Sequence, residues 1–187
     1  MIKISAIILC GGESLRLKGN GVDTPKTVLP INDTNILKYQ VNWLRKHSFN
    51  KIVVATSEQI YEDWKKEFPV NVILSLERAR LGTGGATLLA LEHISNFKYG
   101  YVMNVDDFIF SESYSPMELV NNLNKTSYIG NLLLDYPPLP FSIIERRGNE
   151  ILGFEKNTTL RDIEISIGHY AFTSEIKSYL KPGDMEE

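Results

Sequence analysis

The chain has 187 residues, 43% hydrophobic and 23% charged, with 20 basic against 23 acidic side chains for a net charge of −3. That balance excludes a disordered or collagen-like chain, and a mildly acidic protein does not grip a nucleic-acid backbone by charge. Cys10 is the one cysteine, which excludes an internal disulfide and a thiolate zinc cluster and fits a reducing, cytoplasmic setting. No apolar run reaches the ~20 residues that cross a bilayer. The apolar start does not read as a lipoprotein anchor either, because Ile8, not a small residue, stands two before Cys10. A chain of this length is expected to form one domain over 1–187 and to bury roughly 70% of its unfolded surface.

Residues 4–10 are a near-continuous apolar run, which suits a parallel strand buried on both faces, and they stop at Gly11-Gly12. Residues 11–30 are punctuated by glycine and proline without periodicity and read as a long loop. Asp33 or Thr34 is the expected cap of a helix in which Ile36, Leu37, Val41 and Leu44 share a face. A strand at 51–56, a helix at 57–68, a strand at 70–75 and a helix at 83–94 follow. A fourth strand at 101–105 ends on Asp106-Asp107. Later, 128–135, 141–147, 150–156 and 163–172 read as strands with no helix between them, and Arg147-Gly148-Asn149-Glu150 as a tight hairpin turn. The expected fold is α/β: a three-layer, Rossmann-like, mostly parallel sheet with antiparallel strands in the C-terminal half. Residues 136–140 read as a rigid proline loop, and there is no internal repeat or linker.

Open α/β sheets bind ligands beyond the carboxyl ends of their strands. After the first strand come Gly11, Gly12, Ser14 and Arg16, then Pro25-Lys26. After the third comes Leu81-Gly82-Thr83-Gly84-Gly85-Ala86, and after the fourth Asn104-Val105-Asp106-Asp107. Two glycine-rich turns, two cations and a carboxylate pair describe a site for nucleotide phosphates. Glycines let backbone amides approach a phosphate, Arg16 and Lys26 neutralise its charge, and Asp106 can hold Mg2+. No Gly-Lys-Ser/Thr follows the first glycines, so this is not a Walker loop, and it lacks the G-x-G-x-x-G of a dinucleotide fold.

From 6 to 31 the chain reads AIILCGGESLRLKGNGVDTPKTVLPI, which resembles the signature of the sugar-1-phosphate nucleotidyltransferases. The likeness continues in LGTGGATLLAL (81–91), NVDD (104–107), Phe-Glu-Lys at 154–156 and SIGHYAF (166–172). It implies the nucleotide-diphospho-sugar transferase fold, with a nucleotide half over about 1–110 and a sugar-phosphate half over about 111–187. It implies catalytic Arg16, Lys26 and Asp106, the last also holding Mg2+. Gly11, Gly12, Ser14, Glu77, Gly82 and Thr83 would bind the nucleotide, and Asn104, Glu155, Lys156 and Gly168 the sugar phosphate. The implied reaction is in-line attack of a sugar 1-phosphate oxygen on the α-phosphorus of a nucleoside triphosphate, releasing pyrophosphate. The partners implied are these two small molecules, with no nucleic acid or membrane, and members commonly pair as homo-oligomers.

The LGTGGA segment resembles members that activate mannose or heptose phosphates with GTP, with glucose 1-phosphate enzymes next. Glu77 could accept hydrogen bonds from guanine N1 and N2. The departures are Ser14 where the family has glycine, Leu15 for threonine, Val105 for the glycine before Asp106, and Asn157 for a proline. The family continues to a second metal-binding aspartate beside an Asp-Val/Ile-Gly motif, so the sugar-phosphate half is expected to be truncated. Asp184 is a poor candidate for that ligand. Two other readings stay open. One is a molybdopterin-type cofactor nucleotidyltransferase, whose first turn Gly-Gly-Glu-Ser also resembles; the other is a non-catalytic binding or regulatory module of the same fold. Cys10 and the scattered His47, His93 and His169 are expected to be structural.

Overall fold

The computed structural model describes residues 4–12, 14–111, 114–139, 141–156, 158–160 and 162–181, with backbone alone at 15 and 16. The chain divides into two compact units. The larger is Met1–Leu132 with Gly168–Glu187, and the smaller is Leu133–Ile167.

In the larger unit β1 (Ile4–Leu9) leads into a short helix α1 (Leu15–Gly19) and a 3-10 turn (Lys26–Val28). The expected continuous loop is thus broken by two short helical segments. The two-residue strands β2 (Pro30–Ile31) and β3 (Thr34–Asn35) pair antiparallel around Asn32, whose φ is +49°. This hairpin uses Asp33 and Thr34, so the cap of α2 (Ile36–Lys46) falls to Asn35, whose Oδ1 accepts from the Lys38 amide at 2.9 Å. Neither expected cap residue serves.

Strand β4 (Lys51–Ser57) and helix α3 (Glu58–Trp64) follow, with Ser57 Oγ accepting from the Ile60 amide at 3.1 Å. Strand β5 runs Ile73–Glu77, later than expected, because Val70 is exposed and Asn71 turns the chain at φ +61°. Helix α4 is Gly82–Glu92 and β6 is Tyr99–Asn104. Helix α5 (Pro116–Leu123) is an addition to the expected elements. Ser115 caps it, proline opens it, and Leu119, Val120 and Leu123 are buried.

The strand order is β5-β4-β1-β6-β10-β7, where β7 is Gly130–Asp135 and β10 is Ile165–Thr173. The first four strands are parallel and β10 runs antiparallel to β6. Ile7, Val53 and Val102 pack one face of the sheet under Ala90 and Leu91 of α4. On the other face Tyr101 and His169 meet Phe49 and the α2 residue Trp43. This is the three-layer arrangement expected of buried parallel strands.

In the smaller unit β8 (Ile143–Arg147) and β9 (Glu150–Glu155) form a hairpin turned by Gly148 at φ +58°, with a bulge between Glu145 and Arg146. The proline segment is tied down at Pro138, which bridges Thr159, and at Leu139, whose amide donates to the Thr158 carbonyl at 2.9 Å. Among the described residues no helix is long and apolar enough to cross a membrane.

Candidate functional site

From β1 the chain moves outward to β4 and β5, then returns past β1 to β6. The strand order therefore reverses between β1 and β6, and the crevice of an α/β sheet opens at such a switch point. Cys10 N–H donates to the Ala55 carbonyl at 2.7 Å and Val105 N–H to the Leu9 carbonyl at 3.1 Å. These bonds carry the pairing past the strand ends, so Gly11-Gly12 and Asp106 leave the sheet at one rim.

Lys26 arrives at that rim from the 3-10 turn. Its Nζ lies 2.7 Å from Asp106 Oδ1, with the lysine side chain 30% and the aspartate 43% exposed. Its stem runs past Gly12, where an added Cβ would stand 3.5 Å from Lys26 Cε. Two bonds hold the lysine loop to the glycine turn: the Lys26 amide donates to Ser14 Oγ at 3.1 Å and Thr27 Oγ1 to the Cys10 carbonyl at 3.2 Å. Ser14 adopts φ 54°, ψ 37°, the left-handed conformation that glycine takes freely. The serine carries that strain and supplies a hydroxyl acceptor that glycine lacks.

Glu77 ends β5 and is only 8% exposed. Gly11 lies so close that a Cβ there would come 2.9 Å from Glu77 Oε1. The Leu81 amide approaches Oε2 at 3.4 Å. Burial raises the Glu77 carboxyl above the ordinary glutamate range, and the Leu81 amide offsets part of this. A cleft of about 510 Å³ opens here, lined by Gly11, Gly12, Lys18, Trp64, Glu77 and Arg80 among others. It offers an aromatic ring, a buried acceptor, backbone amides and cations, the groups that a purine nucleotide uses.

At the end of β6, Asn104 Nδ2 donates to Asp107 Oδ2 at 2.8 Å. Burial raises the Asp107 carboxyl, while the Asn104 bond pulls the other way. Gly168 on β10 is buried at φ +75°, and a Cβ there would collide with Asp107 Oδ2 and Asn104 Nδ2. Next to it, His169 is fully buried and its Nδ1 meets the Tyr101 hydroxyl. Burial pushes the His169 imidazole down to about 4, against a smaller opposing effect from the Asp107 backbone. Cys10 is wholly buried, with its thiol raised by burial, so it packs the strand end.

The structure thus brings together Gly11, Gly12, Ser14, Lys26 and Asp106 at one rim, with Glu77 against Gly11. Asn104 and Gly168 meet through Asp107. Gly82 opens α4 at φ +70°, and the carbonyl of Thr83 accepts from Thr87 Oγ1 at 2.8 Å inside that helix. Arg16 lies on α1, and its side chain falls outside what the structure describes. Glu155 ends β9 in the smaller unit opposite Ile143, and exposed Lys156 follows it. Asn157 and Asp184 lie outside the described residues. Two further residues join the rim: Asp107, through its Asn104 and Gly168 contacts, and Gln40 of α2, whose Nε2 donates to the Val105 carbonyl at 3.2 Å and the Asp107 carbonyl at 2.9 Å. The available signal for Gln40 was a polar residue within the apolar face of α2, between Leu37 and Val41.

Residues 6–144 match the family model described as MobA-like NTP transferase domain. The chain belongs to the MobA-like NTP transferase family. Among the relatives of this nucleotidyltransferase, D-glycero-alpha-D-manno-heptose 1-phosphate guanylyltransferase of Campylobacter jejuni is 34% identical over 155 residues, covering 76% of this chain and 69% of that protein. Choline-phosphate cytidylyltransferase of Streptococcus pneumoniae is 23% identical over 127 residues, covering 67% of this chain and 52% of that protein. The chain spans about half of the latter's length. A Bacillus anthracis structure described as a glucose-1-phosphate thymidylyltransferase aligns with TM-score 0.69 at 23% identity, over 98% of this chain and 79% of that one, which shows the shared fold.

Proposed function

We propose that this transferase joins a sugar 1-phosphate to the nucleotidyl group of a nucleoside triphosphate, GTP in preference, with Mg2+ held at Asp106. The observation that carries the reading is the Lys26–Asp106 pair at the switch point, 2.7 Å apart beside the glycine turn. Phosphoryl and nucleotidyl transfer need positioning and charge stabilisation more than a nucleophile of the protein's own. Lys26 offers a compact ammonium for the α-phosphate region, and the Gly11-Gly12 backbone lets phosphate or base approach.

The donor set fits Mg2+. Among the described residues no group of three or more His, Cys, Asp or Glu could form an all-protein cage. Asp106 is instead a half-exposed carboxylate that already holds a cation, and Mg2+ commonly binds through one or two carboxylates plus substrate phosphates. Asp106 would hold the ion, and the chemistry it would supply when bound is neutralisation of negative charge on the substrate phosphates.

Guanine is favoured by Glu77, a buried acceptor on the cleft wall whose other contact is the long approach of the Leu81 amide, matched to the N1–H and N2–H edge. The heptose 1-phosphate guanylyltransferase relative supports a manno-configured acceptor. Glu155 and Lys156 are proposed to bind the acceptor phosphate, and the buried cysteine accords with a cytoplasmic setting.

The test is pyrophosphate release with four triphosphates crossed against heptose, mannose and glucose 1-phosphates and phosphocholine. Turnover is expected with GTP and a manno-configured 1-phosphate. No turnover in any pair from folded protein would sink the reading, and turnover with CTP and phosphocholine alone would replace it.

A further inference from the structure

Asp106 sits two residues beyond the end of β6, on a turn outside the sheet. A loop carboxylate on a free backbone would sample many directions, and ordering it at each binding event weakens binding. What fixes this segment comes from elsewhere in the sequence. Gln40 of α2 is 2% exposed, so its amide is sealed from water. Its Nε2 donates to the Val105 carbonyl at 3.2 Å and to the Asp107 carbonyl at 2.9 Å. The two acceptors are the residues immediately before and after Asp106. One side-chain amide has two hydrogens and no more, and both are used on the peptide units that bracket the carboxylate.

We propose that Gln40 is a positioning residue: its buried amide pins the carbonyls on either side of Asp106 and so sets the direction in which that carboxylate meets a divalent cation. The inference rests on the assignment of Mg2+ to Asp106 proposed above. The chemistry of the pin is specific. A glutamate would turn a carboxylate toward two carbonyl oxygens, and a methionine of similar volume would remove both bonds that Gln40 donates. The α2 helix is held at its own start by Asn35, whose side chain caps it and donates to the Glu67 carbonyl at 2.8 Å. The helix that carries the pin is therefore itself tied at its N-terminus.

The test uses GTP binding to the whole chain, followed by Trp64 fluorescence in the cleft, with EDTA and with excess Mg2+. Wild type is expected to bind GTP at least tenfold more tightly with Mg2+, and Asp106→Asn is expected to lose that gain. Gln40→Met should bind GTP within twofold of wild type in EDTA yet lose most of the gain with Mg2+. Leu37→Ala, which empties a buried position on the same helix without touching the loop, is the control for general loosening. It should keep the gain.

If Asp106→Asn keeps the gain, or wild type shows none, the metal assignment fails and takes the inference with it. If Asp106→Asn loses the gain while Gln40→Met keeps it, or Leu37→Ala loses it equally, the positioning role alone is overturned. Should Gln40→Met not fold, Gln40→Asn is read in the same assay. It retains the amide one methylene short of the loop, and an unchanged Mg2+ gain there would overturn the role.

Discussion

Lys26 and Asp106 lie 80 positions apart in the chain, yet Lys26 Nζ and Asp106 Oδ1 are 2.7 Å apart. The pair is charge-complementary and open to water. Under the proposed function, a substrate phosphate would compete with Asp106 for the lysine and Mg2+ would compete with Lys26 for the carboxylate, so that binding of both would release the pair in a single exchange.

This pair should matter for turnover and little for stability. An exposed ion pair contributes about 0–1 kcal/mol, which for a chain of this size moves Tm by less than about 4 °C. Lys26→Met and Asp106→Asn are each expected to lower kcat by about 10²–10³-fold. Melting curves beside pyrophosphate-release rates check this. A large fall in Tm with unchanged turnover would make the pair structural.

Glu77 gives a pH dependence of definite sign. Burial raises its carboxyl above the ordinary value of 4.5, so the folded state holds the proton more tightly than the unfolded one. Its contribution is full below pH 4.5 and is lost as pH rises through the raised value; above that the ionised group is a standing cost to the fold. Glu77→Gln should therefore raise Tm at about pH 8 and leave it unchanged near about pH 4. The same variant should lose at least about tenfold of any preference for GTP over ATP in kcat/KM, since a buried acceptor matched to a donor edge discriminates strongly.

His169 acts in the opposite sense. Its imidazole is pushed down to about 4 from 6.5, so the neutral form is favoured in the fold. That stability is fully present above pH 6.5 and is lost as pH falls toward 4. The loss is on the order of 3 kcal/mol. Urea denaturation of wild type across this window should show the decline. His169→Gln, which cannot take up the proton, should flatten it.

Gly168 is required by two neighbours as well as by its own backbone. Gly168→Ala would place a methyl into Asp107 and Asn104 at φ +75°. The backbone alone costs about 1–2 kcal/mol, and displacing the carboxylate–amide pair adds to it. A loss of about 2–4 kcal/mol in urea denaturation, with a fall in turnover, is expected. Gly21, also at positive φ but with nothing within 4 Å of a Cβ, should lose stability on substitution without losing turnover.

The parallel strands were legible because burial on both faces leaves unbroken apolar runs, as in β1 and β4. The rim residues were legible because a strand end followed by glycine or aspartate is where such a sheet keeps its ligands. Glu77 at the last position of β5 depended on a two- to three-residue shift that only the turn at Asn71 reveals. The cap of α2 moved because a hairpin consumed its neighbours. Gln40 and the Asp107–Gly168 contact were illegible for another reason. Each joins segments far apart in sequence, and local pattern carries no information about which distant backbone a side chain will meet.

The position of β6 between β1 and β10 has a consequence for how the molecule breathes. Its amides are paired along both edges, so they should exchange with solvent only when the whole larger unit unfolds, as should those of β1 between β4 and β6. Gly11 comes two residues after β1 and Asp106 two residues after β6, so both are carried by the strands expected to exchange most slowly, and the same anchorage should persist through any opening short of global unfolding.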